Sequence, residues 1–232
     1  MQGKTIVVTG ALGALGSVVA ETAAKRGTSV AVLDHAEAAP AGFAERLGPN
    51  ALILGGIDLT APAAADKAMA SVKAKFGRLD ALINIAGGFQ WQTIADGEAD
   101  AWDRMYAMNL KTALNASKAA LPYLVESGAG RIVNVGAQSA LHAASGFGPY
   151  AASKSAVHRL TESLADELKL KGVTVNAVLP STIDTAANRR DMPNADFSRW
   201  VAPADLASVI LFLASDEARA VTGALIPVSG RV

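Results

Sequence analysis

The chain has 232 residues, 51% hydrophobic and 18% charged, which is enough apolar mass for one well-buried domain and argues against disorder. Lys+Arg and Asp+Glu both total 21, so the formal net charge is zero and nothing in it attracts a nucleic acid or an anionic membrane. No cysteine is present, which excludes disulfides, thiolate catalysis and cysteine-based zinc sites. The three histidines, His35, His142 and His158, lack metal-ligand spacing, so no metal site is expected. No apolar run reaches membrane-spanning length and no signal-peptide core precedes the first strand, so a cytoplasmic location is expected.

In chain order, short β-branched runs predict strands over Thr5–Thr9, Ser29–Leu33, Ala51–Leu54, Ala81–Asn84, Arg131–Val135, Val173–Leu179 and Ala224–Val228. They lack polar alternation, as strands buried on both faces do. Ala-rich helical stretches lie between them near 14–26, 61–76, 98–126, 150–171 and 203–214. This alternation implies an α/β fold: a doubly wound parallel sheet of about seven strands with helices on both faces. No linker or repeat interrupts residues 1–232, which read as a single domain. The stretch at about 181–201 has no clear periodicity and reads as a substrate lid.

Thr9-Gly10-Ala11-Leu12-Gly13-Ala14-Leu15-Gly16 joins the first strand to the first helix. Gly10, Gly13 and Gly16 permit a tight turn and close backbone approach, and the helix start at Leu12, Ala14 and Leu15 offers N–H groups to a pyrophosphate. Asp34 ends the second strand eighteen residues after Gly16, placed to accept from ribose hydroxyls and to repel a 2′-phosphate. No Lys or Arg follows it closely, so NAD(H) is favoured over NADP(H). Asp58 and Leu59, after the third strand, suit an adenine pocket. Further on, Tyr150 and Lys154 are spaced to share one helical face. A neighbouring cation lowers the phenol's pKa from about 10, so the pair reads as a tuned general acid/base.

Together these pieces resemble the short-chain dehydrogenase/reductase family, the single-domain Rossmann oxidoreductases. Asn84-Ile85-Ala86-Gly87 is similar to its N-N-A-G, Asn109 matches its helix asparagine, Tyr150 and Lys154 match its catalytic pair, and Pro180 to Thr185 resembles its P-G-x-x-x-T loop. The resemblance implies an NAD(P)-dependent hydride transfer with a small-molecule substrate. Tyr150 would be the proton donor, Lys154 the ribose-binding cation and Asn109 the holder of a relay water. Asn84, Ala86, Gly87, Pro180, Ile183 and Thr185 would contact the cofactor. It also implies a homo-oligomer, dimer or tetramer, formed through the two long helices.

Two departures narrow the reading. The glycine pattern is G-x-x-G-x-x-G rather than T-G-x-x-x-G-x-G, and Ala137 stands thirteen residues before Tyr150, where the family places a serine that polarises the substrate carbonyl. Both features, with the Leu179–Trp200 segment and Ala86-Gly87-Gly88-Phe89-Gln90-Trp91, resemble the dihydropteridine reductases within that family. A conjugated imine or carbonyl spreads charge and needs one donor less, so such a substrate fits Ala137. Phe89, Trp91 and Trp200 would form an aromatic wall and Arg189 would close over the ring, with Ser139 or Gln138 as replacement donors. A general carbonyl/alcohol dehydrogenase and a catalytically weak nucleotide sensor are the alternatives.

Overall fold

The computed structural model describes all 232 residues and contains seven strands: β1 (Thr5–Thr9), β2 (Ser29–Leu33), β3 (Ala51–Leu54), β4 (Ala81–Asn84), β5 (Arg131–Val135), β6 (Thr174–Pro180) and β7 (Leu225–Val228). All pair in parallel, in the order β3-β2-β1-β4-β5-β6-β7. The helices are α1 (Ala14–Lys25), α2 (Phe43–Leu47), α3 (Pro62–Phe76), α4 (Asp100–Met105), α5 (Thr112–Glu126), α6 (Gly148–Leu168), α7 (Ala186–Asp191) and α8 (Pro203–Leu213). This is a Rossmann fold.

Adjacent strand residues serve opposite layers. Ile6 and Val8 join Val19 of α1 and Ile210 of α8 in one core, while Val7 joins Met69 of α3 and Leu124 of α5 in the other. Burial on both faces explains the unbroken apolar runs. The chain order reverses between β1 and β4, and such a switch point opens a crevice at the carboxyl ends of the strands.

The structure departs from the sequence reading in a few places. β6 and β7 each begin one residue later than predicted, and α2 and α7 are additional. They have five and six residues, too few to show a helical period. The predicted helix over 98–126 is interrupted by a π-helical turn at Tyr106–Lys111, which carries Asn109. Such turns recur at functional sites. No helix is long and apolar enough to cross a membrane.

A polar ladder crosses the centre of the sheet. Asn84 and Asn134 are register partners on β4 and β5. Asn84 Nδ2 donates to Asn134 Oδ1 at 2.8 Å and to Ser117 Oγ at 3.0 Å, and Asn134 Nδ2 donates to Thr161 Oγ1 at 2.9 Å. All four side chains are buried, so each depends on the others for its hydrogen bonds. Asn134→Ala is expected to cost about 2 kcal/mol by stranding its neighbours. A thermal melt should fall by roughly 4–8 °C; an unchanged melting temperature would show that the ladder is dispensable.

Candidate active site

The carboxyl ends of β1 and β4 are tied together by one side chain: Thr9 Oγ1 accepts the N–H groups of Ile85 and Ala86, both at 3.1 Å. Gly10 follows with φ +63°, and a Cβ there would lie 2.8 Å from the Ala86 backbone. At Gly16 a Cβ would lie 2.2 Å from the Gly10 carbonyl oxygen. Neither position has room for a side chain. Gly13 differs: its N–H donates to Gly10 O at 3.2 Å, and an added Cβ would meet only that oxygen, at 3.3 Å. No side chain caps α1, so the N–H groups of Ala14, Leu15 and Gly16 keep their donors for the cleft.

The cleft above this turn has a volume of about 870 Å³ and is lined by Gly10, Leu12 to Gly16, Asp34, Asp58, Leu59, Ala86 and Gly87 among others. Eleven predicted cofactor residues therefore share one cavity. Two glycines cleared of side chains, a bare helix start and two carboxylates at the far end fit a dinucleotide. Asp34 also braces the turn, accepting from the Leu12 N–H at 2.8 Å and the Ala36 N–H at 3.0 Å. Its remaining lone pairs stay available to ribose hydroxyls. The Thr60 hydroxyl and N–H hold the Asp58 carboxyl below its ordinary range. Asn84 does not line the cleft: its amide lies beneath the cleft, in the ladder described above.

Behind Gly87 stand the residues expected to do chemistry. A Cβ on Gly87 would lie 2.4 Å from Asn109 Oδ1 and 3.5 Å from Lys154 Nζ, so only glycine lets the cleft meet them. Asn109 clamps Gly88, with Oδ1 accepting its N–H at 3.0 Å and Nδ2 donating to its carbonyl at 3.1 Å. Nδ2 also donates to Ser153 Oγ at 2.9 Å, and that hydroxyl donates to Tyr150 O at 2.7 Å. The Asn109 side chain thus positions the β4 loop against α6.

Lys154 is buried, donates to the Val135 carbonyl at 2.7 Å and is pushed down to about 8 by burial. The sequence reading of Tyr150 is corrected here. Burial pushes its phenol up to about 12, and Lys154 does not lower it. The Lys154 ammonium lies 6.0 Å from the ring centre and is directed to the Val135 carbonyl, while the ring packs edge-on against Phe89 at 5.0 Å and near Phe147 at 6.4 Å.

One turn further along α6, His158 fills the space that a Cβ on Gly136 would need, 2.4 Å from Nε2, and accepts the Ala137 N–H at 3.4 Å. Burial, then Arg159 and Lys154, push it down to about 4. Ala137 itself is buried. Of the two candidate replacement donors, Gln138 donates to Ser229 Oγ, whereas the Ser139 hydroxyl has no protein partner.

The lid is more ordered than its sequence suggests. Ile183 pairs with Val201 as a parallel bridge, and Thr185 caps α7 by accepting the Asn188 N–H at 3.1 Å. Arg189, expected to close over the ring, is instead held inside the lid: it forms two bonds to Asp184, at 2.6 and 2.7 Å, and lies 4.8 Å from the Phe197 ring. The three aromatics do not form one wall. Phe89 packs on Tyr150 and Phe147, Trp91 covers Gly146, and Trp200 packs at a tilt against Phe197 at 4.8 Å inside the lid. Pro180 ends β6, and it lies outside the cleft lining with Ile183 and Thr185. The cleft also contains Arg104, Met108 and Thr112, which the sequence reading missed although their spacing of four marks one helical face.

The short chain dehydrogenase family model matches residues 4–196, and the chain belongs to the short-chain dehydrogenase/reductase family. It is 31% identical to the 2-(S)-hydroxypropyl-CoM dehydrogenase 3 of Xanthobacter autotrophicus, over 99% of this chain and 96% of that one. It is 30% identical to the 3-oxoacyl-(acyl-carrier-protein) reductase FabG of Salmonella typhimurium, over 99% and 97%. The solved structure of carveol dehydrogenase from Mycobacterium avium with NAD superposes with a TM-score of 0.89 at 26% identity, covering 99% of this chain and 97% of that one. The 3-ketoacyl-(acyl-carrier-protein) reductase from Brucella melitensis with NADH gives 0.88 at 28%, covering 99% and 98%. The protein is an NAD(P)-dependent oxidoreductase of this family.

Two predictions follow from the local geometry. Gly16→Ala should abolish NADH binding and lower the melting temperature, because its Cβ has backbone on one side only 2.2 Å away, whereas Gly13→Ala should keep both; equal behaviour of the two variants in a fluorescence titration and a melt would refute the assignment. His158, with its folded pKa depressed to about 4 against an ordinary 6.5, binds fewer protons folded than unfolded between those values. Stability linked to it is therefore present above pH 6.5 and lost as pH falls toward 4. His158→Gln should flatten melting temperature against pH across that window, and an unaltered slope would count against a neutral buried imidazole.

Proposed function

We propose that the protein uses NADH to reduce a flat, conjugated imine or carbonyl of a small molecule, in the manner of a dihydropteridine reductase. The observation that carries this reading is the methyl group at Ala137, in the place where the family resemblance calls for a hydroxyl donor. Loss of such a donor costs about 2.7–4 kcal/mol where a full charge develops on oxygen, and a conjugated acceptor reduces that demand. Phe89 and Trp91, both more than half exposed, lie beside Tyr150 and Gly146 and offer apolar faces to a ring.

The nicotinamide supplies the hydride; the protein supplies position and a proton. Lys154 holds the nicotinamide ribose, and Tyr150 donates its phenolic proton to the reduced substrate. A phenol raised to about 12 is fully protonated at neutral pH, so the donor form is present. Asp34, with no Lys or Arg beside it in the cleft, supports NAD(H) over NADP(H). Exposed Trp102, Tyr106, Leu114 and Val125 on α4, the π turn and α5 support self-association as a dimer or tetramer; light scattering that gave a monomer mass would exclude it.

A second reading, interconversion of a secondary alcohol and a ketone, is favoured by the unpartnered Ser139 hydroxyl and by relatives named as dehydrogenases and oxoacyl reductases. Ala137→Ser separates the two. The conjugated-substrate reading expects ketone reduction to rise by roughly 10²–10³ with NADH affinity unchanged, and no rise, with loss on Ser139→Ala, would favour the second. Tyr150→Phe should lower turnover by about 10²–10⁴ while NADH still binds; retained turnover would remove Tyr150 from the chemistry.

A further inference from the structure

The cleft that fits a dinucleotide is lined by two carboxylates, Asp34 and Asp58, and by one fixed cation, Arg104 of α4. No lysine and no other arginine lines it. The glycine turn and the start of α1 contribute N–H groups and the partial positive end of the helix dipole but no full cation on that side, and the carboxylates add repulsion.

Arg104 has spare capacity. Its Nη2 approaches Gln90 Oε1 at 3.4 Å and the Glu98 carboxylate at 3.8 Å, both long, and the Glu98 side chain is 79% exposed. The Nε and Nη1 donors have no protein partner. An exposed pair of this kind holds its arginine weakly, whereas a guanidinium on a phosphate forms short, charge-assisted, often paired bonds. Arg104 shares a helical face with Met108 and Thr112, which line the same cleft.

We infer that Arg104 closes on the cofactor's pyrophosphate from the α4 wall of the cleft, leaving Glu98 to do so. This assignment rests on the reading of the cleft as an NAD(H) site. The competing role is structural, with Arg104 only tying down the Gln90–Glu98 loop.

The test titrates NADH by its fluorescence, and ADP and adenosine in competition, against the wild-type chain, Arg104→Gln, Arg104→Lys and Glu98→Gln at several salt concentrations. Arg104→Gln is expected to weaken NADH and ADP about tenfold, leave adenosine unchanged and flatten the salt dependence. Arg104→Lys should recover most of the loss, and Glu98→Gln should bind as well as the wild type or better. Wild-type binding by Arg104→Gln would overturn the assignment, as would equal losses for ADP and adenosine, or a loss in Glu98→Gln matching that of Arg104→Gln. A wild-type chain that bound ADP but not NADH would sink the NAD(H) reading while leaving the phosphate contact standing.

Discussion

Everything in this molecule's site hangs on the contact between the ends of β1 and β4. Parallel strands adjacent in space but distant in sequence must be joined where the winding reverses, and here the join is Thr9 Oγ1 accepting two N–H groups from the β4 end. That bond brings Gly10 against Ala86 so closely that no side chain fits between them. The backbone of the turn is thereby left bare on the cleft side, with the start of α1 behind it. A phosphate-sized space with unpaired donors results from the packing, before any ligand is considered.

The side of the cleft behind Gly87 is organised by the opposite device, long side chains reaching through the fold. Lys154 crosses from α6 to the carbonyl at the end of β5, His158 takes the next N–H but one, and Asn109 holds the β4 loop from the π turn. α6 therefore stitches β5 to the site at two points, one on each side of Gly136. The cost is burial of a lysine without a carboxylate partner, seen in its depressed pKa, and of a phenol with its own raised. These two shifts run in opposite directions and draw the groups' proton affinities apart: the lysine releases its proton more readily, and the tyrosine keeps its own.

The extent to which this was legible from sequence follows the range of each interaction. β1 to β5 were readable residue by residue; in β1, burial on both faces leaves Ile6–Val8 with no polar interruption. The glycine turn was readable because its motif is local. The short helices α2 and α7 were not, α2 being held by burial of Phe43 and Leu47 and α7 by its Thr185 cap rather than by a periodic face. The Tyr150 pKa was misread because the i, i+4 spacing fixes which face Lys154 shares, but not which acceptor it chooses; the Val135 carbonyl is nineteen residues away. Arg189 is tied to Asp184, only five residues away in the lid, a pairing that the sequence reading did not consider. Asn84 carries a motif position yet serves the core, a placement that depends on its register with Asn134.

The same logic makes the Ala137 position a property of its surroundings rather than of one residue. Gly136 has no side chain because His158 occupies that space, and the Ala137 N–H is consumed by the same imidazole. The backbone at this strand end is thus fixed from below, with its one polar donor turned inward. The methyl group therefore removes a donor without disturbing the scaffold that would carry one. On the proposed reading, selection of substrate at this site rests on the missing donor, while the proton comes from Tyr150.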